Sequence, residues 1–522
     1  MTATLDPTPP APLSVLPRGR AVLTGVLGVG SALAAGDLVA GLVAPPSSPF
    51  LAVGDQFIRI TPEWLKQLAI GLFGVYDKVA LLAGMAVVIA VLAVVAGLVA
   101  RRRPGPGLAV VTVLGLLALV CTVIAPAFGA PDLIAPLVAL VVGTAVFGAL
   151  HRAFARATTT GEATGPGAGL ARRRALSLAG GVALGSVAAA AGGRLLGGSS
   201  AGASPSAVGP LPPAPQPRAS ALPPDVDFPG TPAWLTPTRD FYRIDTALQV
   251  PRVPVASWTL RVHGMVEREL NLTFDALRAR RLIEVPITMT CVSNPVGGNL
   301  MSNARFLGVP LAELLAEAGV RPGAEQLLST SVDGFTTGTA IGPVTDGRDA
   351  MLAIGMNGEA LPVEHGFPVR MVVPGLYGYV SGCKWITDIE VTTWAARQSY
   401  WLERGWGREG PIKTQSRIDT PAADATVPAG PVTVAGTSWA QRVGINRVEV
   451  SVDGGGWRPA ELGAEVGVDT WRMWRTTVDL APGSHTLRVR ATDRTGTVQT
   501  GREQVSIPDG ATGWHTVPVT AA

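Results

Sequence analysis

Cys291 lies in the stretch whose residue types and spacing best suit metal chemistry: Thr288-Met-Thr-Cys-Val-Ser-Asn294, followed by Asn303-Ala-Arg-Phe-Leu-Gly-Val-Pro-Leu311. The run before it, Leu282-Ile-Glu-Val-Pro-Ile-Thr-Met289, is apolar and partly β-branched, which predicts a strand, and a polar, glycine-bearing turn comes after. A thiol at a strand end is fixed by the strand and exposed by the loop, which is where binding and catalytic groups collect. Its thiolate would suit a soft metal. The alternative is an inert, buried cysteine, because free cysteine is among the most buried residue types.

The order of further motifs decides between these readings. Thr-Cys-Val-Ser-Asn, Asn-Ala-Arg-Phe-Leu-Gly-Val-Pro-Leu, His365-Gly-Phe-Pro-Val-Arg370, and Val373-Pro-Gly375 with Lys384-Trp385 together resemble the sulfite oxidase family of molybdopterin enzymes, over about residues 235 to 520. The resemblance implies that Cys291 ligates molybdenum. It puts the pterin contacts on Phe241, Tyr242, Arg243, Asp333, His365, Arg370, Gly382, Cys383 and Lys384. The residue types agree with that role: Arg370 and Lys384 suit a phosphate, and Asp333 and His365 suit the donors and acceptors of a fused ring. Taken singly, each histidine or arginine is more often a core or surface partner, so the ordered set carries the reading.

The family's oxyanion pocket uses several arginines and a tyrosine. Arg243 and Arg442 match two of the arginines, the arginine expected five residues after the cysteine is Val296, and the tyrosine's match is Trp406. The catalytic set implied is Cys291, Arg243, Arg442 and Trp406. With fewer fixed charges to offset desolvation, a small dianion such as sulfite should bind less well than a larger, less charged oxo-substrate.

The elements that must position this site belong to a chain of 522 residues, net charge +4 and 15% charged residues. Its mean hydropathy of +0.34 is too apolar for an ordinary soluble protein of this size. Five stretches, Ala21–Ala44, Ala80–Ala100, Leu108–Phe128, Leu133–Leu150 and Ala175–Leu196, are apolar all round and long enough to cross a bilayer. Arg18 and Arg20, Arg101 to Arg103, and Arg152, Arg156 and Arg172 to Arg174 all fall on one side of those spans. By the positive-inside rule the N-terminus is cytoplasmic and the chain after Leu196 lies outside.

Arg172-Arg-Arg-Ala-Leu-Ser-Leu also resembles a twin-arginine export signal, a reading compatible with a positive-inside cluster. Ile58 to Tyr76, with Trp64, Lys66 and Tyr76, suits a helix lying at the outer interface. Gly28-Val-Gly30-Ser lies inside a span with no preceding strand and is not a dinucleotide loop. Of five histidines only His151 is near a span, so no haem site is visible. Asp37 is an intramembrane acid, either functional or facing a neighbouring helix near the outer end.

Residues 197–238, rich in Gly, Ser, Ala and Pro, are expected to be an extended tether. Residues 239–410 mix alternating runs with a short helical pattern, an α+β arrangement. Residues 411–522 alternate between Asp-Gly and Pro-Gly turns, which predicts an immunoglobulin-like β-sandwich resembling the family's dimerisation domain. The expected architecture is therefore a five-helix transmembrane bundle (1–196), a linker, a molybdopterin-binding α+β domain and a sandwich.

Three cysteines are too few for a disulfide framework, so a packed core should supply the stability, although a Cys291–Cys383 disulfide is an alternative. The expected function is oxygen-atom transfer on a small oxo-substrate by a molybdenum-molybdopterin oxidoreductase outside the cytoplasmic membrane. Its partners would be the bilayer, an electron-transfer partner and a second copy through the sandwich, with no nucleic acid. The alternatives are sulfite oxidation proper, a cofactor-free tethered scaffold, and a thiol hydrolase with His365 as the base.

Overall fold

The computed structural model describes residues 15–43, 47–73, 76–159, 167–198, 203–215 and 222–522. It forms a helical unit over the first 200 residues and a second unit over most of the remainder. In the helical unit, α1 (Arg18–Val43), α2 (Pro49–Ile60), α3 (Glu63–Phe73), α4 (Asp77–Val99), α5 (Pro104–Val123), α6 (Ile134–Thr159) and α7 (Gly167–Gly198) follow in order. Five helical stretches, α1, α4, α5, α7 and Ala130–Thr159 containing α6, are long and apolar enough to cross a membrane. Exposed side chains such as Val87, Val141 and Leu184 give them surfaces suited to hydrocarbon rather than water.

Small residues bring these helices together. A Cβ on Gly25 would overlap the Ala93 carbonyl, and one on Gly97 would overlap the Ala21 carbonyl, so α1 and α4 touch backbone to backbone. Buried hydroxyls are satisfied within their own helices: Thr24 donates to Arg20 O at 2.8 Å and Thr122 to Ala118 O at 3.0 Å. Asp37 accepts from Ser48 Oγ at 2.5 Å, so it faces the N-cap of α2. The helix expected over Ile58–Tyr76 is instead two. Thr61, in extended conformation, ends α2, and Pro62, which lacks an N–H and disfavours helix in the residue before it, enforces the break.

In the second unit the first sheet has the order β2-β1-β10-β5-β6, from β1 (Thr259–Gly264), β2 (Leu270–Thr273), β5 (Gln326–Ser331), β6 (Thr336–Ala340) and β10 (Ile386–Thr392). The second runs β3-β4-β7-β8, from β3 (Ile283–Thr290), β4 (Met301–Pro310), β7 (Met351–Met356) and β8 (Glu359–Ala360), with β9 (Arg370–Val372) also paired to β7. Four short helices join them: α8 (Phe274–Arg278), α9 (Leu311–Ala318), α10 (Ile341–Thr345) and α11 (Gly378–Ser381).

From Gln415 to the end, two sheets stack as a sandwich. One has the order β11-β13-β17-β16, from β11 (Gln415–Thr420), β13 (Gly430–Trp439), β16 (Glu461–Leu462) and β17 (Arg472–Leu480). The other has the order β12-β19-β18-β14-β15, from β12 (Ala425–Val427), β14 (Ile445–Val452), β15 (Arg458–Pro459), β18 (Gly483–Asp493) and β19 (His515–Ala521). Val434, Val448, Trp474, Leu487 and Val489 fill the space between them, as alternating strands require.

The expected tether is packed over its described part. Val208, Val226, Phe228 and Trp234 are buried in the same core cluster as the α+β sheets, and Trp439, Trp471 and Met473 of the sandwich belong to it too. Trp234 Nε1 donates to Trp471 O at 3.3 Å and Trp471 Nε1 returns a bond to Trp234 O at 2.8 Å. Average composition hides this arrangement, because a proline-rich chain without strands or long helices can still dock single apolar side chains one at a time.

Candidate active site

Antiparallel pairing of β3 with β4 ends at Thr290 and Met301, so Cys291 is the first residue of the connecting loop. Its N–H donates to Leu300 O at 2.9 Å, and Asn294 Oδ1 closes the loop by accepting from Leu300 N at 2.8 Å. Burial pushes the Cys291 thiol up, opposed by backbone and side-chain hydrogen bonds from Ser293. All three cysteines are free thiols, which excludes the Cys291–Cys383 disulfide. Two phenols adjoin Cys291 electrostatically. Tyr242 is raised far above the usual phenol range by burial and then by the cysteine, while Tyr377 is pushed up to about 12, chiefly by burial.

Arg370 opens β9 and is buried. Its Nη1 donates to His365 O at 3.2 Å, but its Nε has no partner, and burial lowers its pKa to about 10. A buried cation with an unmet donor is costly unless something anionic completes it. Gly382 lets its neighbours approach closely: a Cβ there would lie 2.9 Å from Gly378 O, 3.3 Å from Met289 Cε and 3.4 Å from Arg370 Nη2. A Cβ on Gly378 would lie 3.8 Å from the Tyr242 hydroxyl and 3.9 Å from Thr290 O. The sequence-derived residues Tyr242, Arg370, Gly382 and Cys291 are thus brought into one neighbourhood.

His365 packs edge-on against Phe241, ring centroids 5.3 Å apart, and Phe241 stacks on Tyr242 at 5.4 Å. Burial, then the charges of Arg370 and Lys384, depress the His365 pKa to about 4, so its ring is neutral at physiological pH. Lys384 Nζ lies 3.0 Å from Asp245 Oδ2 and 3.1 Å from Glu364 O, and burial lowers it to about 8. Asp245 also accepts from Arg243 Nε at 2.8 Å. One buried carboxylate therefore holds both cations.

Cys383 is fully buried and its thiol is pushed up to about 12 by burial and then by Asp333. The Asp333 carboxylate accepts from Phe335 N at 3.2 Å. Arg442 and Trp406 share no partner with Cys291 among the described residues. Arg442, with φ 68°, donates to Asp469 Oδ2 at 2.8 Å. Trp406 is stacked on Trp401 at 3.9 Å and edge-on to Tyr379 at 5.2 Å.

Sequence reasoning missed Asp245, Tyr377 and Gln441. The only advance hint of Asp245 was its place two residues after Arg243. A surface cleft of about 580 Å³ beside Pro212 and Arg278 to Leu282 shares no residue with this site, and Arg280 and Arg281 there are already paired with Glu317 and Glu313.

Residues 247–401 match the family described as oxidoreductase molybdopterin binding domain, and residues 415–489 match the bacterial Ig domain. Mitochondrial sulfite oxidase of Mus musculus is 31% identical over 47% of this chain and 53% of its own length. Sulfite oxidase of Gallus gallus is 30% identical over 48% of this chain and 64% of its own. The chain therefore carries a molybdopterin-binding oxidoreductase domain and is similar in sequence to the sulfite oxidases. It spans between half and two thirds of the length of those two sulfite oxidases. Nitrate reductase [NADH] 1 of Oryza sativa subsp. japonica is 28% identical over 48% of the chain and 34% of its own length. Among solved structures, the sulfane dehydrogenase SoxCD of Paracoccus pantotrophus aligns with TM-score 0.49 and 24% identity over 58% of this chain and 89% of that one.

The family's cofactor fits these residues. Among the described residues no three His, Cys, Asp or Glu side chains gather around a point, so a metal at Cys291 needs donors from a bound organic group. The unpartnered, buried Nε of Arg370 has the charge to meet such a group's anionic portion.

Proposed function

We propose that this chain is a membrane-anchored molybdenum-molybdopterin oxidoreductase that transfers an oxygen atom to or from a small oxo-substrate at the extracytoplasmic face. The observation that carries the reading is the buried, incompletely paired Arg370 in the neighbourhood of the free thiol of Cys291. When bound, the cofactor supplies a metal that exchanges an oxygen atom and two electrons with substrate. Cys291 would ligate that metal. Arg370 and Lys384 would take the cofactor's anionic portion, and His365, neutral above about pH 4, would hydrogen-bond its ring system with Asp333 and the Gly382–Lys384 turn. Phe241 and Tyr242 wall the site, and the Tyr242 phenol stays protonated as a donor.

Arg243 and Arg442 are assigned to orient the substrate and Trp406 to bound the pocket. The relatives' names include both sulfite and nitrate, so membership alone does not choose the substrate. Val296 and Trp406 favour a neutral oxo-compound over sulfite. The experiment compares the purified full chain on sulfite, sulfoxides and N-oxides with artificial electron carriers. Sulfoxide or N-oxide turnover should exceed sulfite turnover, and Val296→Arg should raise the sulfite rate about ten- to a hundredfold, the value of one charge-assisted hydrogen bond. Efficient sulfite turnover by the wild type, or no gain in Val296→Arg, contradicts this pocket.

Sidedness rests on the arginine clusters, with Arg172–Arg174 serving as anchor or as export signal. A phosphatase that works only outside the cytoplasm should be active when fused after Ser199 and silent after Arg103. A second copy docking through the sandwich and a separate electron carrier complete the proposed set of partners.

A further inference from the structure

A carboxamide of the sandwich bridges the cysteine strand and the loop at Gly375. Gln441 lies in the turn after β13, which is closed by Val443 N and Gly444 N donating to Ala440 O at 3.0 and 2.7 Å. It is buried, and each of its polar atoms is engaged. Nε2 donates to Thr288 O in β3 and to Asp469 O at 3.0 Å, while Oε1 accepts from Gly375 N at 3.2 Å. The orientation of the amide follows from its partners, two carbonyls on the nitrogen side and an N–H on the oxygen side.

Further bonds run in parallel. Thr288 N donates to Asp469 O at 3.0 Å, and Trp471 N donates to Thr288 Oγ1 at 2.8 Å. Gly375, with φ 81°, leaves room for the neighbouring Arg442, since a Cβ there would lie 2.7 Å from Arg442 Cγ. Beyond Cys291, Arg417 Nη1 donates to Gly298 O at 2.8 Å, and the His515 ring fills the space against Gly297. The segment from Thr288 to Gly298 is therefore held at both ends by sandwich residues.

We propose that Gln441 is a positioning residue that locks the strand bearing Cys291 to the Val373–Gly375 loop, making the sandwich part of the frame that aims the thiol. Thr288 and Gly375 are the three-residue and two-residue neighbours of Cys291 and Tyr377, the pair already coupled electrostatically. A carboxamide is the side chain that satisfies two carbonyls and one N–H from a single planar group. Leucine of similar volume satisfies none of them, and glutamate only the N–H. The inference rests on the proposed role of Cys291, but its test is read without cofactor, so the two fail separately.

In cofactor-free full chain, the rate at which an aromatic disulfide reagent labels Cys291 should rise at least tenfold in Gln441→Leu and Gln441→Glu, while Cys383, in the interior, labels at its wild-type rate. In loaded enzyme, kcat should fall about tenfold with KM within twofold. Unchanged Cys291 labelling and kcat in a Gln441→Leu protein that merely melts earlier overturns the proposal. Should the variants not fold, hydrogen exchange on the wild type decides: the amides of Thr288, Gly375 and Trp471 should open together, and Trp471 exchanging independently of the other two would refute it.

Discussion

The helical unit and the cysteine site differ in how they bury hydroxyls and charges. In the helices a hydroxyl returns to its own preceding turn, as Thr24, Ser31 and Thr122 do, and Asp37 finds Ser48 only eleven residues away. Exceptions there are His151, whose Nε2 lies 2.8 Å from Ala100 O in the loop after α4, Arg101, whose Nε donates to Leu16 O at 3.0 Å, and Gln56, whose buried Nε2 has no partner. Around Cys291 the partners are distant in sequence: Lys384 with Asp245, Gln441 with Thr288, Trp471 with Trp234. There Arg370 keeps an unmet donor. A scaffold can settle its buried hydroxyls within a turn, whereas a site holds charge in reserve for what it binds, at a cost to the empty fold.

The comparison breaks most clearly at Arg370. Arg370→Met should reduce cofactor content of the purified protein to a few per cent or less of wild type, because the charge that meets the anionic portion is gone. The same variant should stabilise the empty protein, by about 1 to 4 kcal/mol, since an incompletely paired buried cation is replaced by a packed apolar chain. Denaturation of cofactor-free wild type and variant checks this, and a destabilised empty variant would mean that Arg370 is structural.

In the helical unit the equivalent stress is steric. Gly25→Val puts side-chain atoms into the Ala93 carbonyl and should cost about 1 to 3 kcal/mol or prevent assembly, read as loss of the folded band in detergent. No bound group should restore it.

A smaller effect concerns pH. His365 has a folded pKa of about 4, below its unfolded value near 6.5, so between those values the unfolded chain binds the extra proton. Stability is complete above about pH 6.5 and is lost as the pH falls toward 4, by at most about 3 kcal/mol. His515, also lowered to about 4, acts with the same sign, so His365→Gln should remove only part of the slope of stability between pH 4.5 and 6.5. An unchanged slope would contradict the burial-driven shift.

What could be read from sequence divides along the same line. Local periodicity carried the five long apolar helices, the strand before Cys291 and the alternating strands of the sandwich, because each depends on neighbours within a turn or a pleat. The break at Thr61-Pro62 is also local, yet the expected single helix over Ile58–Tyr76 overlooked it, although the proline alone disfavours helix at the residue before it. The docking of residues 203–215 and 222–238 was not legible, since a single Trp234 finds its partner 237 residues away. Of the site, ordered motifs pointed to Cys291, His365, Arg370 and Lys384, but nothing along the chain shows that Asp245 holds two of the cations or that Gln441 reaches Thr288. Those contacts exist only once topology has folded distant segments together.

Metal analysis tests the central claim most directly. Full-length protein from cells competent to make the cofactor should contain about one molybdenum per chain, and Cys291→Ser, folded by the same melting and chromatographic criteria, should contain none or hold it far more weakly. A folded wild type without molybdenum, or a Cys291→Ser protein that retains it in full, would contradict the assignment.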